Sequence, residues 1–198
     1  SCILVEKDTP GFSVGKIEDK MGIHGSETAE LIFDDCRVPK ENLIGKEGQG
    51  FKIAMTALDG ARIGVAAQAL GIAQRALDES VKYMKERIQF GKPIAALQGL
   101  QWYISDMATK IECAKWMVFR AAWLKVDGQP YTKEAAIAKL NASETANFVV
   151  NKALQIHGGY GYMKDYPLER MYRDAKITEI YEGTSEVHKL VISRSVLK

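Results

Sequence analysis

The chain has 198 residues, 46% of them hydrophobic, enough to bury a large core as one big domain or as one domain plus a piece of another. Its 27 Lys and Arg against 25 Asp and Glu leave a net charge of +2, and the signs are interspersed, so it lacks the electrostatic footprint of a nucleic-acid or membrane-surface binder. Three cysteines, Cys2, Cys36 and Cys113, are an odd number without metal-ligand spacing; this argues against a disulfide framework or a metal site and predicts buried small hydrophobes in a reducing compartment.

Residues 1–45 alternate and turn like β structure. Cys2–Glu6, the Thr9-Pro10-Gly11 turn, Phe12–Lys16, a loop at Gly22–Ser26 and Ala29–Phe33 follow one another before Pro39. These are a few strands of a sheet, not a whole barrel. The opening has no initiator Met and reads as the middle of a strand, so a fragment of a longer protein is expected. No run of about 18 apolar residues is long enough to span a bilayer, and no signal peptide is visible.

At Lys46–Gly50 the hydrophobic period changes from about 2 to about 3.6 residues, which places a domain boundary between residues 46 and 47. Phe51 to about Phe90 then carries two adjacent apolar stripes, a helix buried on a wide face and ended by Gly91-Lys92-Pro93. A second helix carries Leu97, Leu100, Ile104, Met107, Ile111, Ala114, Val118, Ala121 and Leu124. A third carries Ala135, Ala138, Ala142, Ala146, Val149, Ala153 and Ile156, and stops at Gly158-Gly159. A fourth begins at Thr184 and turns Val187, Leu190 and Val191 inward. Tyr160–Tyr181 reads as irregular. Met107, Trp116, Phe119 and Trp123 are core or interface candidates. The predicted fold is mainly α, an up-and-down four-helix bundle preceded by a partial antiparallel β domain.

Four groups of residues stand out, and each has two readings. Glu182 lies between Ile180-Tyr181 and Gly183, at a corner before a helix that Thr184 can cap. It is either a base aimed into a cleft or, with Glu186, a solvated acid at the positive end of that helix. Gln155-Ile156-His157-Gly158-Gly159 is a backbone approach to a phosphate or a helix C-cap, with His157 a cation or donor for the last carbonyls. Arg87 and Phe90 offer a planar fork and a ring face, with Gln98 nearby in the next helix, or Arg87 is a solvated helix-end cation. Asp59-Gly60-Ala61-Arg62 interrupts an apolar helix face as a surface excursion or a ligand contact. Arg173 and Asp174 read as structural partners.

The order and spacing of Leu31–Pro39, Gly45–Phe51, Leu58–Gly64, Arg87–Lys92, Gln155–Tyr162 and especially Tyr172–Glu186 resemble the acyl-CoA dehydrogenase family, most nearly its short-chain, butyryl-CoA type. The likeness covers essentially the whole chain, as the C-terminal part of the middle β domain followed by the helical domain. It implies FAD-dependent α,β-dehydrogenation of short-chain fatty acyl-CoA thioesters to trans-2-enoyl-CoA, as in fatty acid β-oxidation. Glu182 is then the general base. Asp59, Gly60, Ala61, Arg62, Tyr181 and Gly183 are implied as acyl-CoA contacts. Arg87, Phe90, Gln98, Gln155, Ile156, His157, Gly158, Gly159, Thr184, Ser185 and Glu186 are implied as FAD contacts, several of them reaching a flavin held mainly by a neighbouring subunit. No metal is implied.

In the family the thioester oxygen is held by the base residue's own backbone N–H and a flavin hydroxyl. Some branches carry the base at the position of Ala61, which cannot abstract a proton. The resemblance further implies a homotetramer or dimer, an electron-transferring flavoprotein as partner, and a bacterial cytoplasm or mitochondrial matrix. An acyl-CoA oxidase-type flavoenzyme and a non-catalytic helical interaction module are the alternatives.

Overall fold

A computed structural model describes residues 1–198. The chain divides into two compact units, Ser1–Leu58 and Asp59–Lys198. In the first, β1 (Cys2–Ile3) pairs antiparallel with a later strand, and β2 (Phe12–Ile17) pairs antiparallel with β3 (Ala29–Phe33), bringing the Phe12 and Phe33 rings to 5.2 Å. The partner of β1 is β4 (Leu43–Ile44). No residue up to Gly50 is buried, so these two ribbons have no core of their own.

α1 (Gly50–Glu86) starts in the first unit and runs on through the second. The helix stops at Glu86, short of the expected Phe90. The reason is a hairpin: β5 (Ile88–Gln89) pairs with β6 (Lys92–Pro93) across Phe90 and Gly91, both at positive φ, as a two-residue turn requires. α2 (Gln98–Val126) and α3 (Thr132–His157) are joined by Asp127–Tyr131 and pack as antiparallel neighbours. α3 is the central element. It packs against α2, a short α4 (Leu168–Lys176) and α5 (Ser185–Val196).

The core is built from the stripes that the periodicity marks. Ala66, Ala69, Ala73 and Ala76 of α1, Met107, Ala114 and Ala121 of α2, and Ala142, Ala146, Val149 and Ala153 of α3 are fully buried. Alanines at the contact between α2 and α3 let those two backbones approach closely. Three expectations fail. The supposedly irregular stretch from Tyr160 contains α4, whose Leu168, Met171 and Ala175 are buried at helical spacing; nine residues are too few for that period to stand out among glycine, tyrosine and charge. Cys113 is exposed where a buried small hydrophobe was expected; of the core or interface candidates, Met107 is in the core and Trp116, Phe119 and Trp123 stand exposed on α2. In α5 the residue turned inward is His188, and Val187 and Leu190 lie exposed.

Replacing Met107 by Ala should lower the unfolding free energy by about 2–5 kcal/mol, read as a lower urea midpoint at unchanged denaturant dependence. A loss below 1 kcal/mol would mean that the packing around Met107 closes over the space.

Candidate active site

Glu182 sits on a backbone corner. After a 3-10 turn at Ile177–Glu179, the N–H groups of Ile180 and Tyr181 both donate to the Ile177 carbonyl, at 2.9 and 3.1 Å. Glu182 (φ 56°) and Gly183 (φ 99°) then occupy the left-handed region in succession. For a glutamate that conformation costs about 1 kcal/mol, and glycine carries no such penalty. A side chain at 183 would also place a Cβ 3.3 Å from the His188 ring. Thr184 is extended and caps α5, its hydroxyl accepting from the Val187 N–H at 3.5 Å. Ser185 opens the helix, and the Glu186 carboxyl is held below the usual carboxylate range by its own backbone N–H and the Thr184 hydroxyl.

Beneath the corner lies a set of buried polar side chains. Arg62 of α1, 6% exposed, donates from Nε to the Glu182 carbonyl at 3.4 Å and from Nη1 to Asp59 at 2.6 Å. Asp59 also accepts from the Thr132 hydroxyl at 2.7 Å, which fixes the start of α3 against α1. Lys139 of α3 is fully buried and donates from Nζ to the Gly183 carbonyl at 2.7 Å. Burial, and then the positive charge of Arg62, pull its pKa down to about 8 against the opposing pull of Glu179, Glu182 and Glu186.

His188 is fully buried with no hydrogen-bond partner at either ring nitrogen. Burial, with the charges of Lys139 and Arg62, lowers its pKa to about 4; the nearby Gly183 backbone exerts a weak opposing pull without hydrogen-bond geometry. The ring is therefore neutral at pH 7.

The carboxylate above this set is not tied down. Glu182 Oε2 is buried without a hydrogen-bond partner, and the Glu182 N–H donates to no protein carbonyl. The corner thus has both its carbonyls satisfied by buried cations, and a carboxylate oxygen and one N–H left over. An orphaned acceptor beside an orphaned donor is the mark of a site made for a ligand. Tyr181 flanks it, its hydroxyl bonded to Gln68 of α1. Asp59, Gly60, Ala61 and Arg62 form one turn of α1 that reaches this corner through Arg62, and Gly60 lies against the Lys125 ammonium.

A second cluster forms at the other end of the bundle. Arg87, Phe90, Ile156, His157, Gly158 and Gly159 line a cleft of about 540 Å³. Arg87 is in no ion pair and lies over the Tyr160 ring, 5.3 Å from its centroid. Phe90 is 85% exposed at its strained turn position. Nothing lies within 4 Å of where a side chain would stand at Gly158 or Gly159, so their backbone is open to a close approach. His157 is buried, stacked on Tyr83 at 4.2 Å, and its Nδ1 is 2.8 Å from the Ala153 carbonyl. A carbonyl only accepts, so Nδ1 carries the proton. Burial lowers the His157 pKa, which makes it a neutral donor and not a helix-end cation. Gln98 and Gln155 are exposed and stand outside the lining of this cleft.

The family model for the acyl-CoA dehydrogenase C-terminal domain matches residues 48–197. The chain belongs to the acyl-CoA dehydrogenase family. It is 75% identical, over all 198 residues and 50% of the relative's length, to the acryloyl-CoA reductase (NADH) of Anaerotignum propionicum. The structure of butyryl-CoA dehydrogenase from Megasphaera elsdenii superposes with a TM-score of 0.98 at 55% identity, covering 99% of this chain and 51% of that one. A chain in the structure of the electron transferring flavoprotein of Acidaminococcus fermentans, described in terms of flavin-based electron bifurcation, also gives 0.98, at 62% identity, covering 99% and 52%. This member of the family therefore spans about half the length of the relatives it matches.

Sequence reasoning missed Lys139 and His188. The signal for Lys139 was available, since it falls in phase with Ala136, Ser143, Ala146 and Val150 on the most buried face of α3. His188 prefers to stay neutral in the fold, so the unfolded chain takes up its proton near 6.5 and the native chain only near 4. Stability is thus present above pH 6.5 and is lost as pH falls toward 4, on the order of 3 kcal/mol in all. His188→Gln should flatten the fall in urea midpoint across that window. A fall as steep as that of the parent chain would assign the acid sensitivity to other groups.

Proposed function

We propose that the natural protein is a FAD-dependent short-chain acyl-CoA dehydrogenase with Glu182 as the base. One observation carries the reading: a buried, unpartnered carboxylate oxygen beside an unused N–H on a strained corner. A substrate thioester oxygen bound at the Glu182 N–H would feel its carbonyl polarised, which acidifies the α-carbon. The Glu182 carboxylate then takes the α-proton. Because no protein donor holds Oε2, no hydrogen bond has to be given up first. Asp59, Gly60, Ala61, Arg62, Tyr181 and Gly183 surround the acyl end of the thioester.

The second cluster fits FAD. Arg87 supplies an unpaired cation for a diphosphate, Gly158 and Gly159 an open backbone, Phe90 and Ile156 apolar surface and His157 a buried ring in the wall, with Gln155 and Gln98 at the margin. Thr184, Ser185 and Glu186, at the start of α5, would meet flavin on the Glu182 side. When bound, FAD supplies the acceptor for the hydride leaving the β-carbon. The two clusters are roughly 27 Å apart along α3, counted from Lys139 to His157 at 1.5 Å per residue. That separation favours a homotetramer or dimer in which each flavin draws on two copies of the chain. Exposed Trp116, Phe119, Trp123 and Val126, spaced three or four residues apart on α2, support the same assembly. An electron-transferring flavoprotein is the proposed electron partner. We place the boundary between the β and helical domains at residues 46 and 47, a reading supported by the family match from residue 48 and by the start of α1 at Gly50.

A second reading is favoured by the acryloyl-CoA reductase relative. By microscopic reversibility the same carboxyl returns a proton to the α-carbon when a short enoyl-CoA is reduced. Anaerobic assays of the full-length protein with butyryl-CoA, and with acryloyl-CoA plus NADH and the flavoprotein partner, separate the two directions. In either direction Glu182→Gln should keep its FAD and lower the rate of flavin reduction by butyryl-CoA about 10²- to 10⁴-fold. Reduction at the parent rate would remove Glu182 from the role of base.

A further inference from the structure

We propose that Lys139 is a positioning residue for Glu182: from α3 its buried ammonium grips the Gly183 carbonyl and thereby fixes where the Glu182 carboxylate points. The inference rests on the reading of Glu182 as the base and deepens it. Lys139 is 0% exposed, yet it is in no ion pair, and its one hydrogen bond is the 2.7 Å contact to Gly183. A buried cation paired only with a carbonyl is a poor device for stability, because an apolar side chain of similar length would avoid the desolvation. What the contact does achieve is geometric. Glu182 and Gly183 adopt two successive left-handed conformations, and a glycine offers little resistance to rotating out of one.

Two anchors hold that pair from below, on two different helices. Arg62 of α1 takes the Glu182 carbonyl at 3.4 Å and Lys139 of α3 the Gly183 carbonyl at 2.7 Å. The shorter of these bonds comes from the lysine, and α3 is the helix that packs against α2, α4 and α5. Other charged or titratable groups facing Lys139 are Glu179 before the corner, Glu186 and His188 on α5, and Glu182 itself. None of them bonds the ammonium. Lys139 touches no reacting atom in this arrangement; it acts through the backbone of the residue that does.

The test uses the full-length FAD-loaded protein. Lys139→Met keeps the length of the side chain and removes the donor, Lys139→Gln keeps a neutral donor, and Lys139→Arg keeps a charged one. Flavin reduction by butyryl-CoA, protiated or deuterated at the α-carbon, is followed anaerobically, together with binding of acetyl-CoA, which has no β-carbon to oxidise. Displacing the base by about 1 Å costs about 100-fold in rate, so Lys139→Met should lose about that factor, with a larger α-deuterium isotope effect. Its FAD content and acetyl-CoA affinity should stay close to the parent's, and Lys139→Arg should recover part of the rate.

Reduction by Lys139→Met near the parent rate would overturn the proposal. So would a loss that tracks loss of FAD or of acetyl-CoA binding, or failure of both Lys139→Met and Lys139→Gln to fold, since each makes Lys139 a stability residue. Glu182→Gln run alongside separates the two layers of the argument. If that variant still reduces flavin, the assignment of the base fails; if it is inactive while Lys139→Met is fast, only the positioning role fails.

Discussion

The carbonyl oxygens of Glu182 and Gly183 rest on two buried cations, and the rest of the candidate site depends on that contact. A hydrogen bond to a charged donor contributes about 1.5–3 kcal/mol. Such bonds offset the strain of a glutamate at φ 56°, about 1 kcal/mol, but not the several kcal/mol needed to bury an ammonium such as Lys139. The balance therefore does not favour the lysine as a source of stability. It favours a corner whose orientation is over-determined from two helices, while the carboxylate and N–H on its upper side are left unbonded.

The same economy of polar groups governs the bundle around it. Alanines fill much of the buried faces of α1, α2 and α3, and those of α2 and α3 let these two backbones come close, so polar side chains that penetrate this core are short of room and solvent. His188 meets that environment by staying neutral, with its pKa lowered to about 4. His157 does so by turning its one proton toward the Ala153 carbonyl and stacking on Tyr83. Two of the four non-glycine residues at positive φ, Phe90 and Glu182, fall in the two candidate clusters. Strain located at both ends of one bundle fits two ligand-facing edges joined by a rigid middle.

Much of this was legible in the residues alone. The α3 stripe from Ala135 to Ile156 is buried at every position that its spacing marked, because a helix packed on several sides leaves a wide apolar face in the sequence. Glu182 stood out because a glycine after an acid and a capping threonine signal a corner before a helix. α4 was invisible since two turns carry only three buried positions. Lys139 and His188 were overlooked for a different reason: hydrophobic patterning discounts polar residues, and what identifies these two is the carbonyl or backbone they meet across more than forty positions or within one turn of α5. The wrong face of α5 follows from the same bias, which read Val187 and Leu190 as inward and passed over His188.

The account stands on a carboxylate held against an acyl α-carbon by a corner that buried cations keep in place. A crystal structure of the full-length flavoprotein with a short, unreactive CoA thioester measures this directly. The account predicts a Glu182 carboxylate oxygen about 3–3.5 Å from the α-carbon, with the thioester oxygen on the Glu182 N–H and the Lys139 bond to Gly183 intact. A thioester bound with its α-carbon facing another carboxylate, or with Glu182 turned away into solvent, would contradict it.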